Sequence, residues 1–170
     1  MSDRTSYLHY KVLTNKYKFM FTLSESQNQW LLLVGRVLLG VIFVFAGFGK
    51  LMASLDAGIA PLANTIAQVT SLPFPTFLAV LTIAVELFAG LALIIGIWTR
   101  QSALALIGFT LMATVFFHPG WSDGNQIQAM MKNLAIIGGL FTLLTTGAGS
   151  LSLDSVLKKR QSIVSEAATT

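Results

Sequence analysis

The chain has 170 residues, 54% of them hydrophobic and 11% charged, with 11 Lys and Arg against 7 Asp and Glu for a net charge of +4. Soluble domains carry roughly 25% charged residues, and a mean hydropathy of +0.72 supplies more apolar sequence than a water-surrounded core can use, which excludes an ordinary soluble enzyme. No nucleic-acid partner is expected, because the cations lack polar surroundings, and the absence of cysteine removes disulfides, thiolate zinc and cysteine-held iron–sulfur clusters.

The first 29 residues are polar, aromatic and basic (YLHYKVLTNKYKFMF). The apolar run behind them is too long for the hydrophobic region of a signal peptide, about 7–15 residues, and lacks a small-residue cleavage site. This segment is therefore expected to remain as an arm, either lying on anionic lipid or hanging as a tail. A membrane-crossing helix needs about 20 apolar residues. Four spans are predicted, at about residues 30–52, 75–98, 102–118 and 130–147. The first contains Arg36 and Lys50, the second has Glu86 as its only charge, the third ends at His118 and Pro119, and the fourth opens with Lys132 and Asn133.

Between the first two spans, Leu62, Ile66, Val69 and Leu72 recur at helical spacing and predict a short interfacial helix over the bundle mouth. Residues 99–101 are so short a connection that spans two and three must form an antiparallel hairpin, and 119–129 read as a Gly/Asp/Asn turn. Residues 150–170 form a basic tail. No internal repeat is visible. The fold expected is an all-α membrane protein, a four-helix bundle. Placing both termini inside puts Arg4, Lys11, Lys16, Lys18, Arg100, Lys158, Lys159 and Arg160 on one side and leaves Lys50 and Lys132 at outer helix ends, so the positive-inside rule predicts cytoplasmic termini.

Charges inside hydrocarbon cost several kcal/mol each and are usually functional. In the first span Arg36, Gly40, Phe43, Gly47 and Lys50 follow spacings of three and four and share a face; in the second, Thr82, Glu86 and Gly90 stack at intervals of four. Glu86 falls about 18 Å from Trp98, near the midplane, and Arg36 about 9 Å from Trp30. A lone carboxylate there must be paired or protonated. Arg36 is expected to reach it from below, and Lys50, Lys132 and His118 from above. With Asn133 these residues outline a polar cavity opening outward that suits an anion, a carbonyl oxygen or a quinone-type ring oxygen. Glu86 and His118 are the candidates for proton exchange, Arg36, Lys50, Lys132 and Asn133 for binding, and Phe43, Phe88 and Phe117 for apolar walls. Structural readings stand beside these: Lys50 and Lys132 as snorkelling headgroup anchors, Arg36 with Glu86 as a helix clamp, His118 as a helix-end cap, and the span glycines as close-packing sites. Neither haem nor a metal is expected, since His118 is the only histidine near a span.

The sequence resembles the DoxX family of small bacterial membrane proteins over roughly residues 32–157. The resemblance rests on Gly35-Arg36-Val37-Leu38-Leu39-Gly40 with Ala46-Gly47-Phe48-Gly49-Lys50-Leu51, and on Glu86-Leu87-Phe88-Ala89-Gly90 with Gly96-Ile97-Trp98-Thr99-Arg100. It continues through Phe116-Phe117-His118, Met131-Lys132-Asn133-Leu134 and Ser152-Leu153-Asp154. It implies a multi-pass protein of the bacterial cytoplasmic (inner) membrane and a redox association, as a subunit of a quinone-linked oxidoreductase or a membrane partner of a soluble redox enzyme. The family's polar positions fall on Arg36, Lys50, Glu86, His118, Lys132 and Asn133. Quinone is the one cofactor implied, with electrons supplied by a partner. The alternative is a non-enzymatic scaffold or lipid-binding protein that recruits a soluble enzyme. A small-solute transporter is disfavoured by four spans without a repeat, unless the chain forms an oligomer.

Overall fold

A computed structural model describes residues 23–118 and 123–167. They fold into six helices: α1 (Glu25–Ala57), α2 (Ala60–Thr70), α3 (Pro75–Ile95), α4 (Thr99–Phe117), α5 (Gly124–Thr146) and α6 (Leu153–Ala167). Four of these, α1, α3, α4 and α5, are long and apolar enough to cross a membrane. The expected basic arm lies largely outside the described residues, as do Pro119 and Trp121.

Helix boundaries depart from the hydropathy pattern where polar residues cap. At Ser24 the hydroxyl accepts from the Gln27 N–H at 3.2 Å, while Gln27 Oε1 accepts from the Ser24 N–H at 2.9 Å. This capping box starts α1 five residues ahead of Trp30, so the helix has 33 residues and is about 50 Å long. Asp123 accepts from the Asn125 N–H at 3.0 Å and opens α5 at Gly124, among polar residues outside the predicted span. The hairpin between α3 and α4 turns at residues 96–98 rather than 99–101, with Gly96 at φ 76° and Trp98 at φ 47°. Gly96 supplies a left-handed conformation that residues with a Cβ seldom adopt.

In the bundle α1 packs chiefly on α3, α4 on α5, and α3 on α4, with a thinner contact between α1 and α5. Phe43, Leu93, Leu106, Ile107, Ile136, Ile137, Leu140 and Leu143 form the core. Only 22–33% of each span's most apolar stretch is buried inside the protein. The remainder, including Leu38, Phe45 and Phe88, points outward, as expected where lipid is the solvent. Helix α2 forms where the spacing predicts one and seats Ala63 and Ile66 against Ala79 of α3, with Leu62, Leu78 and Phe117 around them, whereas Val69 is exposed and Leu72 falls beyond the helix end and is exposed as well.

Only some of the span glycines serve close packing. A Cβ on Gly40 would lie 2.7 Å from the Gly90 carbonyl oxygen and 2.6 Å from Ile94 Cγ1, and one on Gly90 would lie 3.1 Å from the Gly40 oxygen. At Gly35, Gly49, Gly108 and Gly138 a Cβ would meet nothing within 4 Å. Gly40→Ala is therefore expected to wedge α1 from α3 and cost about 1–3 kcal/mol. Gly35→Ala, on the same helix, should be neutral or stabilising by up to about 1 kcal/mol. Thermal unfolding of the two detergent-solubilised variants checks the contrast.

Candidate functional site

The antiparallel register of α1 and α3 is fixed by facing residues: Arg36 lies at Gly96, Gly40 at Gly90 and Ile94, and Gly47 at Glu86. The face predicted for α1 is the buried one, comprising Arg36, Gly40, Phe43 and Gly47. One turn beyond Gly47, Lys50 meets Glu86. Its Nζ donates to both carboxylate oxygens, each at 2.8 Å. The Glu86 side chain is 5% exposed and that of Lys50 is 33% exposed. The pairing depends on Gly47, where a Cβ would come within 2.9 Å of Glu86 Cβ and 3.0 Å of Leu87 Cγ. An ammonium group has three N–H donors, so Lys50 retains one after satisfying the carboxylate. This is the only ion pair among the described residues.

The other polar residues predicted at this end belong to the α4–α5 pair. His118 occupies the C-cap of α4, where its N–H donates to the Thr114 carbonyl, and its ring Nδ1 lies 2.9 Å from Gln126 Oε1. Asn133, buried in α5, donates from Nδ2 to Thr114 Oγ1 at 2.9 Å, and Thr114 passes its own proton to the Thr110 carbonyl at 2.7 Å. No hydrogen bond joins His118 or Asn133 to Lys50 or Glu86 among the described residues. Lys132 is exposed. Of the proposed walls, Phe43 is buried in the main core and Phe117 borders the α2–α3 contact, but Phe88 is 74% exposed and faces away. Among the described residues no group of three or more His, Cys, Asp or Glu side chains is placed to hold a metal ion.

Arg36 is not the partner of Glu86. It sits opposite Gly96, about 15 Å along α3 from Glu86, which is beyond the span of an arginine side chain. Its Nη1 donates to the Ala148 carbonyl at 2.5 Å and its Nη2 to the Leu151 carbonyl at 2.9 Å. The residue is 1% exposed, and a Cβ at Gly96 would collide with the guanidinium. Beside it Asp154 accepts the N–H groups of Trp98 and Thr99 at 3.0 and 3.2 Å, and its own N–H donates to the Gly96 carbonyl at 2.9 Å. Gln29 accepts from the Ser150 N–H. The segment after α5 is thus stitched to α1 and to the α3–α4 turn. Asp154 stood out in the sequence only as part of Ser152-Leu153-Asp154, and hydropathy gives no hint that an aspartate beyond the fourth span caps a distant helix.

The DoxX family profile matches residues 31–119, more than half of the chain. The chain belongs to the DoxX family. It is similar to inner membrane protein YqjF of Escherichia coli, with 37% identity over 128 residues that cover 75% of this chain and 92% of that protein. It is also similar to inner membrane protein YphA of Escherichia coli, 32% identical over 129 residues, 73% of this chain and 88% of that protein. No solved structure matches it. As a DoxX protein it is a multi-pass protein of the inner membrane. Arg36, Lys50, Glu86 and His118 fall inside the DoxX-matched segment, whereas Lys132, Asn133 and Asp154 lie beyond it.

Proposed function

We propose that this DoxX protein is a quinone-binding subunit of a membrane oxidoreductase, oriented with both termini in the cytoplasm. The single observation that carries the reading is the Lys50–Glu86 pair, a cation and a carboxylate within the spans whose ammonium keeps one N–H to offer. A ring oxygen from the lipid phase is a suitable acceptor, and one third of the Lys50 side chain is exposed to meet it. A bound quinone supplies a two-electron, two-proton acceptor. Lys50 would hold its oxygen, and Glu86 would give up or take a proton at Oε1 or Oε2 as the hydrogen bonds with Lys50 rearrange. Electrons come from a soluble redox partner, since the chain has no cysteine. His118 and Asn133 are held on the α4–α5 pair and take no part in direct binding.

The scaffold reading is favoured by one specific feature, that both Glu86 oxygens are already occupied by Lys50, as in a helix clamp. Photolabelling with a short-tailed azidoquinone in lipid nanodiscs separates the two. The expected result is saturable labelling on α1 and α3 near Lys50 and Glu86, removed by excess unlabelled quinone and weakened about tenfold in Glu86→Gln, where Lys50, no longer anchored by the carboxylate, swings away and its charge-assisted hydrogen bond to the quinone is lost. Labelling that does not saturate, spread over the lipid-facing surface and unchanged in Glu86→Gln, would overturn quinone binding and leave the clamp.

A further inference from the structure

The end of the bundle opposite His118 has a pocket of about 440 Å³ between the start of α4, the end of α5 and the first turns of α6. This lies in the range of about 300–1,000 Å³ common for small-molecule sites. Its cations are Arg100 and Lys158. Neither forms an ion pair among the described residues, where Lys50 with Glu86 is the only such pair. Arg100 uses Nη2 to hold the Thr145 carbonyl at 3.1 Å, which fixes the guanidinium at the rim beside Gly147 with other N–H groups to spare. Asp154 also lines the pocket, but both its oxygens are taken by the N–H groups of Trp98 and Thr99. Two cations against one carboxylate leave the lining with a net charge of +1.

Two further features identify the kind of anion. Trp98, 67% exposed, stands at the rim, where an indole marks the boundary between lipid and water. Below Arg100 on the same face of α4 come Leu104, Gly108 and Leu111 at spacings of four, four and three, all exposed, with open space at Gly108. A headgroup held at Arg100 would lay its acyl chains along this track. The geometry points to a site for the phosphate of an anionic phospholipid, held between Arg100 and Lys158, with its acyl chains against α4. Basic pockets at the ends of spanning helices recognise lipid headgroups by this chemistry. The site is separate from the Lys50–Glu86 pair and does not depend on its function.

Native mass spectrometry of the full-length protein in detergent, titrated with phosphatidylglycerol, phosphatidylcholine or inorganic phosphate, tests this. The expected result is retention of phosphatidylglycerol over phosphatidylcholine, weakened about fivefold by Lys158→Gln and about thirtyfold by Arg100→Gln with Lys158→Gln. Lys159→Gln with Arg160→Gln, neighbouring cations that do not line the pocket, should leave it unchanged. Lys158→Gln breaks no hydrogen bond among the described residues, so its effect reads binding even if Arg100→Gln loosens the fold. Equal loss from the Lys159 and Arg160 changes would overturn the pocket in favour of diffuse surface attraction. Retention of inorganic phosphate without preference among the lipids would overturn the lipid as its source.

Discussion

Lys50→Met is expected to destabilise the protein by about 3–5 kcal/mol, because it leaves Glu86, with a side chain only 5% exposed, as a buried carboxylate with no counter-ion. Glu86→Gln should cost less, about 1–2 kcal/mol. The difference follows from exposure: the Lys50 side chain is 33% exposed, and its flexible stem can carry the ammonium toward the membrane surface once the carboxylate is gone, whereas Glu86 is fixed against Gly47. Replacing both, Lys50→Met with Glu86→Leu, should recover most of the loss, since exchanging a buried pair for apolar groups is often neutral. Thermal unfolding of wild type and the three variants in one detergent compares these losses. A Glu86→Gln loss equal to or larger than that of Lys50→Met would show that the two side chains are equally trapped.

Arg36→Met is expected to cost a similar amount, about 3–5 kcal/mol, through the loss of two charge-assisted hydrogen bonds worth about 1.5–3 kcal/mol each and the stranding of the Ala148 and Leu151 carbonyls. Arg36→Lys should recover only part, because an ammonium cannot reproduce the planar fork that reaches both carbonyls. A second readout separates this from general destabilisation. Arg36 fastens residues 148–151, so its loss should free the segment leading into α6 and speed tryptic cleavage at Lys158, Lys159 and Arg160. In the Lys50→Met protein, at a temperature of equal overall stability, cleavage there should stay slow.

The spans and the buried stripe of α1 were legible because lipid imposes a simple rule on sequence: long apolar runs cross, and small or polar residues at intervals of three and four turn inward. Glu86 was identified for the same reason, and Lys50 was among its expected partners. What hydropathy could not resolve was which cation meets which acid. Arg36 and Lys50 share one face, and the choice between them depends on the axial offset of α1 against α3, which is set by the contact of Gly40 with Gly90. Helix starts were missed at Ser24 and Asp123 because a cap is a local hydrogen-bond device, invisible to a hydropathy window. Phe88 was assigned a wall position on chemistry alone, although it lies two residues past Glu86 and so on a different side of the helix.

The Arg36 contacts also constrain the order in which this protein is made. Arg36 enters the bilayer with the first span, but the carbonyls that receive its N–H groups come 112 and 115 residues later. Until that stretch leaves the ribosome, the guanidinium has to be held by water or lipid phosphates at the membrane surface. The first helix therefore settles at its final depth only after the last loop has arrived. A nascent chain that stalls before Ala148 keeps in its first span a guanidinium without the two carbonyls that receive it in the finished fold.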